Sequence, residues 1–454
     1  MKVDPGVKIL LVSTYDLGRQ PFGLASPAAW LRGDGHEVTC ADLAVGPPPV
    51  EAARAADLVA FHLPMHTATR LAAPSIRAIR ALNPSAHVCC YGLYAAMNES
   101  YLRELGVQTL AGGEFEPRLL ELARRLARGE NGTQREPLVS LDRVPFLVPD
   151  RTGLPPLDRY ASLMLDGTRR TTGYTEASRG CKHLCRHCPV VPVYNGQFRI
   201  VPVEVVLADI RQQVAAGASH ISFGDPDFFN GPAHAVRIVE GLHEEFPHLT
   251  YDVTIKIEHL RQRRDLLPLL KRTGCQFVTS AVESVDDHVL ARLDKGHTRE
   301  DFVAVVEEFR NAGLVLSPTF IPFTPWTTRE GYQDLLRVIL DLGLVENVAP
   351  VQLALRLLIP NGSLMLELPE VVKRVSGFDP AALIHRWTHA DASIDTLSTR
   401  TFDLVAAEQK KSSSRAAVFA RIWELAHQGA ARLPENFELL PRAAVPYLNE
   451  PWYC

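Results

Sequence analysis

Short apolar runs alternate with segments of helical spacing along most of the chain. Between residues 8 and about 128 the runs include KILLVS, ADLVAFHL and AHVCCYGL, and a helical pattern follows each of them. Parallel strands need long crossover connections, usually helices that cover both faces of the sheet. The alternation therefore predicts a five-stranded, doubly wound α/β domain of flavodoxin-like type in residues 1–130, with ligands at the carboxyl ends of its strands.

The same alternation resumes on a larger scale after residue 170. Six apolar runs separated by helical segments predict a partial (β/α)6 barrel over residues 170–364, where function belongs at the carboxyl ends of the strands. Residues 131–169 are rich in Gly, Pro, Arg and Asp, which predicts a linker along the surface. After residue 364 the strand pattern stops, so residues 365–454 are predicted to form a C-terminal helical region and tail.

Composition excludes several classes of protein. The 454 residues are 46% hydrophobic and carry a net charge of −4, so no broad basic surface indicates nucleic acid or an anionic membrane as a partner. The run KILLVS is too short for the apolar part of a signal peptide or for a membrane span. We therefore expect a cytoplasmic protein whose eight cysteines form no disulfide framework.

Three cysteines are grouped in the loop after the first predicted barrel strand. Cys181, Cys185 and Cys188 have the spacing Cys-x3-Cys-x2-Cys, with His183 and His187 between them. Thiolates in such a group bind zinc or an iron–sulfur cluster. With a histidine as fourth ligand, the group would be a zinc site and the chain a zinc-stabilised interaction protein. In a [4Fe–4S] cluster, three thiolates leave one iron free to bind a small molecule.

This spacing, after the first strand of a β/α barrel, resembles the radical S-adenosylmethionine (SAM) superfamily. The resemblance implies that Cys181, Cys185 and Cys188 hold a [4Fe–4S] cluster whose open iron chelates the amino and carboxylate groups of SAM. An electron from the cluster then cleaves SAM to methionine and a 5′-deoxyadenosyl radical. His187 stands where relatives often have an aromatic residue, so the contact with adenine is expected to differ.

Polar residues at the ends of the next three predicted strands extend the resemblance. The segments FGDPDFFN, TIKIEHL and SAVESVDD end or follow the second, third and fourth strands. Carboxylates at these positions accept charge-assisted hydrogen bonds from SAM in the superfamily. Each carboxylate alone is also explained by a helix N-cap or a surface salt bridge. The resemblance implies these SAM-binding residues: Asp225, Asp227, Lys256, Glu258, Glu283 and Ser284.

A flavodoxin-like domain before a radical SAM barrel is the layout of the cobalamin-dependent class. CYGLYA and AGGEFEP resemble two segments of this class, where glycines would let the backbone approach a large flat ligand. The Asp-x-His-x-x-Gly motif that supplies a cobalt ligand in other cobalamin proteins is missing from TYDLGRQP. A domain that keeps the fold and binds nothing is the alternative. The resemblance implies these cobalamin-binding residues: Gly92, Tyr94, Gly112, Gly113 and Glu114.

Several segments together resemble one subfamily, the CUAEP/CCAEP-tail radical SAM proteins. They include SRGCKHLCRHCPVVPVY, DKGHT and PFTPWTT, and the likeness covers nearly the whole chain. The subfamily's tail has a Cys followed by selenocysteine or Cys and then Ala-Glu-Pro, whereas this sequence stops at Cys454. We expect the gene to continue through a UGA codon for selenocysteine, which would place Cys454 in a redox tail. An incidental terminal cysteine is the alternative.

Together these features predict a radical SAM enzyme with a [4Fe–4S] cluster, SAM and cobalamin as cofactors. The favoured reaction is methyl transfer to a poorly activated carbon or phosphorus centre. Radical rearrangement or oxidation without methyl transfer is the alternative, and methylthiolation needs more cluster-binding cysteines than this chain groups together. The expected partners are a small-molecule or peptide substrate and an electron donor such as flavodoxin or ferredoxin, with neither nucleic acid nor membrane.

Overall fold

A parallel sheet with helices on both faces forms the first domain. The computed structural model describes residues 6–130, 137–429, 433 and 445–449. The strands are β1 (Lys8–Ser13), β2 (Glu37–Asp42), β3 (Leu58–His62), β4 (His87–Tyr91), β5 (Thr109–Gly113) and β6 (Val139–Ser140). Their order is β2-β1-β3-β4-β5-β6. The first five follow the flavodoxin-like order, which confirms the prediction, and β6 is added from the predicted linker.

Both faces of this sheet are buried under helices. Ile9 and Leu11 lie in one hydrophobic core, and Leu10 and Val12 lie in the core on the opposite face. This alternation explains the continuous apolar run in the sequence, because successive side chains of a strand point to opposite faces. The helices are α1 (Phe22–Gly33), α2 (Val50–Ala55), α3 (His66–Leu82), α4 (Leu93–Met97), α5 (Glu99–Glu104) and α6 (Glu116–Ala127).

The second domain has a sheet of parallel strands in the arrangement of a partial barrel. Its strands and the short hairpin beside them are β7 (Ser162–Leu165), β8 (Thr168–Thr175), β9 (Ser178–Gly180), β10 (Phe198–Ile200), β11 (His220–Phe223), β12 (Thr250–Thr254), β13 (Cys275–Glu283) and β14 (Val315–Phe320). The order β14-β13-β12-β11-β8 is parallel, whereas β7 pairs antiparallel with β8. β9 and β10 form a separate antiparallel pair.

Helices connect the parallel strands, and most of them pack on these strands in one large hydrophobic core. They are α7 (Val191–Tyr194), α8 (Val203–Ala215), α9 (Pro232–Glu245), α10 (Ile257–Gln262), α11 (Leu267–Arg272), α12 (Asp287–Leu293), α13 (Arg299–Ala312) and α14 (Arg329–Asp341). A parallel sheet covered in this way places the loops that follow its strands at one rim. The predicted fold class is therefore confirmed.

The sixth predicted strand of the barrel does not form. Its segment, VAPVQLALRLLIP, contains a short 3₁₀ helix (Pro350–Leu353) and one parallel bridge between Phe323 and Arg356. Proline lacks the amide hydrogen that a ladder requires, so Pro350 interrupts pairing at this edge. The barrel consequently stays open beyond β14.

The C-terminal region is mainly helical but includes an antiparallel hairpin that the sequence analysis did not predict. The hairpin strands contain polar and half-exposed residues, so they lack the apolar run that marked the other strands. The last described strand pairs with β7. The elements are α15 (Pro369–Val372), β15 (Val375–Asp379), β16 (Ile384–Trp387), α16 (Ala392–Lys410), α17 (Arg415–Ala426) and β17 (Tyr447–Leu448). Cys454 lies outside the described residues.

Among the helices that the structure describes, none has both the length and the apolar character needed to cross a bilayer.

Gly113 offers a test of the first domain's packing. Its φ is +74°, and a Cβ there would lie 2.1 Å from the Ser140 carbonyl oxygen on β6. Gly153 has a similar φ of +81°, but a Cβ at that position would meet nothing within 4 Å. We expect G153A to cost about 1–2 kcal/mol from backbone strain alone. G113A should cost about 1–3 kcal/mol more, because the adjacent strand must move. Thermal unfolding of both variants measures the difference, and equal losses would contradict this packing.

Candidate active site

The three grouped cysteines lie in the loop between β9 and α7, which we call the cluster loop or cysteine loop. Their side chains line one cavity. Within the loop, the Cys188 amide donates to the Cys185 carbonyl at 3.0 Å. The Arg186 amide donates to the Leu293 carbonyl at 3.0 Å, and its guanidinium also donates to carbonyls at the end of α12. The loop is thus fixed to the barrel between its second and third cysteines.

A side chain from the next loop fixes the other end of this segment. The Asn230 side-chain oxygen accepts from the Lys182 amide at 3.2 Å and lies 3.7 Å from the Cys181 sulfur. Its amide nitrogen donates to the Gly180 carbonyl at 3.3 Å. Gly180 has a φ of +74°, and a Cβ there would lie 2.4 Å from the Tyr194 ring. Only glycine therefore fits immediately before the first cysteine.

Sulfur donors and burial together suit an iron–sulfur cluster. Burial raises the pKa of Cys188 to about 12 and raises that of Cys181 as well, so both are neutral thiols without a metal. A bound metal reverses this preference, because it holds coordinating thiols as thiolates. Three sulfur donors converging on one cavity fit three irons of a cubane cluster.

The predicted SAM-binding residues separate into two groups. Asp227, Lys256 and Glu283 line the cavity with the cysteines. Asp225 instead accepts from the Ala177 amide at 2.9 Å and from the Ser178 hydroxyl, which holds the end of β8. Burial raises its pKa to about 7. The expectation that Asp225 faces the SAM site therefore gains no support, because its carboxylate is used by the backbone before the cluster loop.

Glu258 and Ser284 are not among the residues that line this cavity. Glu258 accepts from Lys256 at 2.9 Å, and this contact orients the ammonium group. The Ser284 hydroxyl accepts from the Asp286 amide at 3.1 Å, in a turn before α12. Glu258 is thus adjacent to a cavity residue, whereas Ser284 serves a local turn, and their roles toward SAM stay predictions.

Glu283 is held in a strained conformation at the end of β13. Its φ is +69°, which is uncommon for a residue with a side chain. Burial alone would raise its pKa, but Lys295 and the hydrogen bond with His187 lower it to about 2. Its carboxylate lies 3.1 Å from His187 Nε2 and 3.6 Å from Lys295 Nζ. The cavity therefore contains a permanently ionised carboxylate between two basic groups.

Lys295, His297 and His259 belong to this site, although sequence reasoning did not assign them. Lys295 is buried and lines the cavity. His297 is buried beside it, and burial with the nearby charges of Lys295 and Lys256 lowers its pKa to about 4. Lys295 and His297 belong to DKGHT, a segment that resembles the subfamily, so the sequence offered a reason to consider both as site residues. His259 lies in TIKIEHL, the segment that ends the third predicted strand and that resembles the same subfamily, so it offered a similar signal.

Asp227 lies among histidines from two other elements. Its carboxylate oxygen Oδ2 is 2.6 Å from His259 Nδ1 and 3.6 Å from His183 Nε2. The two histidines approach through their Nε2 atoms at 3.2 Å. His183 is also 3.1 Å from the Lys256 ammonium through Nδ1. His183, which lies between the first two cysteines, thus contacts two predicted SAM-binding residues, Asp227 and Lys256.

Gly92 and Tyr94 lie at the carboxyl end of β4, as predicted for a ligand-binding edge. Gly92 has a φ of +102°, and a Cβ there would lie 3.0 Å from the Leu63 carbonyl oxygen. Tyr94 is buried, and its pKa is raised by burial and by the nearby Cys188 sulfur. This edge of the first domain therefore lies beside the cluster loop.

Gly112 and Gly113 have structural roles at the end of β5. A Cβ at Gly112 would lie 2.7 Å from the Ala96 side chain, and one at Gly113 would meet Ser140. The chain itself occupies the space that these glycines leave free. Glu114 is 1% exposed and lies 3.3 Å from Arg179. The cobalamin contacts proposed for these three residues stay predictions.

Arg179 joins the two domains at a buried cluster of carboxylates. Its guanidinium lies 3.3 Å from Glu114, 2.7 Å from Glu116 and 2.8 Å from Glu176. Burial raises the pKa of Glu114 and of Glu176. For Glu116, the guanidinium outweighs burial and lowers the pKa. The guanidinium also packs over three aromatic rings, those of Phe22, Phe115 and Phe146.

The cluster loop also ends in the first domain. Val193 and Tyr194 of α7 lie in a core of the flavodoxin-like domain, and the Tyr194 hydroxyl donates to Glu114 at 3.4 Å. The loop that carries the cysteines is consequently fixed to the barrel at Arg186 and to the first domain at α7.

Residues 175–339 match the family model described as the radical SAM superfamily. The match begins at the last residue of β8 and includes the cysteine loop and every strand from β11 to β14. Residues 175–339 form a radical SAM domain. Its cofactors are a [4Fe–4S] cluster and SAM, and the prediction of an enzyme is confirmed. The alternative of a zinc-stabilised interaction protein is set aside.

Among curated proteins, the chain is similar to the ribosomal protein uS12 methylthiotransferase RimO of Syntrophotalea carbinolica. The two are 26% identical over 285 residues, which are 59% of this chain and 57% of the relative. The chain thus covers little more than half of this relative.

Two solved structures share the fold over both domains. TsrM from Kitasatospora setae, a radical SAM methyltransferase with tryptophan substrate and a SAM analog bound, is 18% identical with a TM-score of 0.64. The alignment covers 79% of this chain and 75% of TsrM. OxsB, a cobalamin-dependent radical SAM enzyme with aqua-cobalamin and SAM bound, is 14% identical with a TM-score of 0.70. Its alignment covers 87% of this chain and 66% of OxsB, and identities this low show the fold alone.

Replacing the three cysteines tests the cluster assignment. If these thiolates are the protein ligands of the cluster, the variant C181A/C185A/C188A should lose its iron, its visible absorbance and its SAM cleavage. C275A is a matched control, since Cys275 is buried in β13 and away from the loop. Iron analysis and absorbance of anaerobically purified protein give the result. Iron and SAM cleavage retained by the triple variant would refute the assignment.

Replacing Arg179 tests the link between the domains. R179M leaves three carboxylates without their cation, which should cost about 3–5 kcal/mol at neutral pH. The loss should shrink as the pH falls toward about 5, because buried carboxylates with raised pKa values favour the folded state when protonated.

Arg199 provides the matched control for this substitution. Its backbone lies opposite that of Arg179 in the antiparallel pair of β9 and β10, but the residue is not fully buried. R199M should therefore cause a small loss that does not depend on pH in this range. Thermal unfolding from pH 5 to pH 8 compares the two variants, and parallel pH profiles would contradict the buried carboxylate cluster.

Proposed function

We propose that this chain is a cobalamin-dependent radical SAM enzyme that transfers a methyl group to a poorly activated carbon or phosphorus centre. One observation carries the proposal: the carboxyl edge of the flavodoxin-like domain lies beside the cluster loop. Tyr94 follows β4 and is close to Cys188, and Glu114 follows β5 and contacts the residue two before Cys181. A ligand held at this edge would be next to the site of SAM cleavage.

The cavity supplies groups that suit the amino-acid part of SAM. Asp227 can accept from the SAM amine, while Lys256 and Lys295 can pair with the SAM carboxylate. Both lysines are buried, which strengthens such contacts by excluding water. Glu283 stays ionised at neutral pH and fixes Lys295 and His187 at the cavity wall. These groups would hold the amine and carboxylate of SAM in the cavity that the three cysteines line.

Buried polar atoms at the edge of the first sheet fit a bound cofactor. Ser13 Oγ at the end of β1 and His62 Nδ1 at the end of β3 have no hydrogen-bond partner among the described residues. The two residues are neighbours in the β1–β3 register. Burial lowers the pKa of His62 to about 3, so its imidazole is neutral. With Gly92 and Tyr94, these residues would hold cobalamin, which supplies a methyl carrier when bound.

Methylthiolation, the activity in the name of the curated relative, receives less support from the cysteines. The described cysteines outside the loop are Cys40, Cys89, Cys90 and Cys275, and all are buried. Cys89 and Cys90 are adjacent in β4, where their side chains face opposite cores. In the described part of the chain they form no second group of three. Radical rearrangement or oxidation without methyl transfer stays the alternative reaction.

A small-molecule or peptide substrate and an electron donor such as flavodoxin or ferredoxin complete the proposal. The reductant is required because SAM cleavage consumes an electron from the cluster. The redox tail at Cys454 and the resemblance to the CUAEP/CCAEP-tail subfamily also stay predictions, and sequencing the codons after Cys454 tests them.

Cobalamin binding and methyl transfer can be tested together. Protein with a reconstituted cluster should bind hydroxocobalamin in equilibrium dialysis. Anaerobic turnover with methyl-labelled SAM and a metabolite extract should give a product that carries the label in mass spectra. Loss of one hydrogen bond between neutral groups in H62L should weaken cobalamin binding about tenfold.

His87 provides the matched control for His62. It lies at the opposite, amino end of β4, where it contacts Thr109 at 2.9 Å. H87L should bind cobalamin as the wild type does. Absence of cobalamin binding by folded, cluster-loaded wild type would remove the methyltransferase proposal and leave radical rearrangement or oxidation.

A further inference from the structure

A continuous series of polar contacts crosses the active site from Asp227 to Glu258. Asp227 Oδ2 is 2.6 Å from His259 Nδ1, and His259 Nε2 is 3.2 Å from His183 Nε2. His183 Nδ1 is 3.1 Å from Lys256 Nζ, which is 2.9 Å from Glu258. The series begins at a buried carboxylate and ends at a half-exposed one. It therefore links the loop after β11, the cysteine loop and the start of α10.

The two ends of the series fix the direction of its hydrogen bonds. An ammonium group has only donors, so His183 Nδ1 must accept from Lys256. The proton of a neutral His183 then lies on Nε2 and faces His259 Nε2. His259 consequently carries its proton on Nδ1, opposite a carboxylate that can only accept. One tautomer at each imidazole is compatible with all of these contacts.

His259 is the central member and lies behind the cavity wall. It is 2% exposed, on α10, and does not line the cavity. Its Nδ1 lies 2.6 Å from Asp227 Oδ2, and neither atom makes a hydrogen bond with any described residue, while Asp227 Oδ1 accepts from the Phe229 amide. The position of the Asp227 carboxylate toward the cavity thus depends on His259.

We propose that His259 is a positioning residue, which holds Asp227 and, through His183, Lys256 in register with the cluster loop for SAM. The inference rests on the proposed function only in requiring that SAM binds at the cluster, and it is independent of cobalamin and of methyl transfer. His183 lies between Cys181 and Cys185, so the same contacts couple the loop that holds the cluster to the groups that hold SAM.

A divalent cation is the competing occupant of this place. Donor atoms of His183, Asp227 and His259 lie within 4.8 Å of one another. Two histidines and one carboxylate are ligands that zinc and ferrous iron accept. The ammonium of Lys256, 3.1 Å from His183, opposes a second positive charge there. With no cation present, His183 accepts a hydrogen bond from Lys256. A bound cation would take the place of this hydrogen bond and would repel the ammonium group.

Substitutions at His259 can separate its two contacts. H259L removes both, whereas an Asn side chain can reach the position of Nδ1 and a Gln side chain that of Nε2. We expect H259L to keep its iron but to bind SAM about tenfold more weakly, since contacts with charged groups are lost. The SAM-induced change in the electron paramagnetic resonance spectrum of the reduced cluster should be lost with it. H259N and H259Q should each recover part of both signals.

His220 supplies the matched control. It is another fully buried histidine of the barrel, 2.9 Å from Asp252 and 2.8 Å from Thr250, at the amino end of β11. H220L should lower the unfolding temperature without changing the SAM affinity or the spectrum. If H259L fails to fold, H259N and H259Q still test the inference, because each retains one contact.

Four results would overturn the inference. Unchanged SAM affinity and spectrum in H259L, with intact cluster, would show that His259 positions nothing. Equal effects in H220L would reduce its role to stability. In another outcome, the variant C181A/C185A/C188A binds one zinc or iron per chain and loses it when H259L is added. That result would assign His183, Asp227 and His259 to a metal site. Absence of SAM binding by the cluster-loaded wild type would refute the proposed function itself, and this inference with it.

Discussion

The buried guanidinium of Arg179 is the interaction on which the geometry of the two domains depends. It stands two residues before the first cluster cysteine and contacts Glu114 and Glu116 from the flavodoxin-like domain. Removing these charges from water is costly, and the cost is offset only while the contacts are complete. The domains can therefore separate only by exposing or unpairing these groups. The end of β5 and the start of the cluster loop consequently behave as one rigid unit.

This arrangement gives AGGEFEP a physical explanation that differs from the one drawn from the sequence. Its glycines leave room for the Ala96 side chain and for the strand at Ser140 to pack closely. Its two glutamates form ion pairs with Arg179. Asp225 shows the same pattern, because it holds the backbone at the end of β8 rather than lining the cavity. A segment can thus be typical of a cofactor-binding class because it builds the support for the site.

Much of the architecture could be predicted because it depends on local signals. Apolar runs of strand length located both sheets, and the spacing of Cys181, Cys185 and Cys188 located a loop whose three sulfurs line one cavity. The roles of Arg179 and His259 could not be predicted, since their partners are far away in sequence. Arg179 contacts a residue 65 positions earlier, and His259 contacts one 76 positions earlier. Proline at position 350 and the half-exposed hairpin strands explain the remaining differences.

The anchoring of α7 in the first domain has a consequence for how the protein matures. The cysteine loop is fixed to the barrel at Arg186 and continues into α7, where Val193 and Tyr194 pack in the flavodoxin-like core. Because α7 follows Cys188 closely, we expect the three sulfurs to reach their final spacing only after both domains have folded and docked. Iron and sulfide delivered to a nascent or half-folded chain would meet thiols that are not yet assembled. Cluster insertion is then the last step of biogenesis. A chain that carries a cluster is one in which both domains have folded and docked.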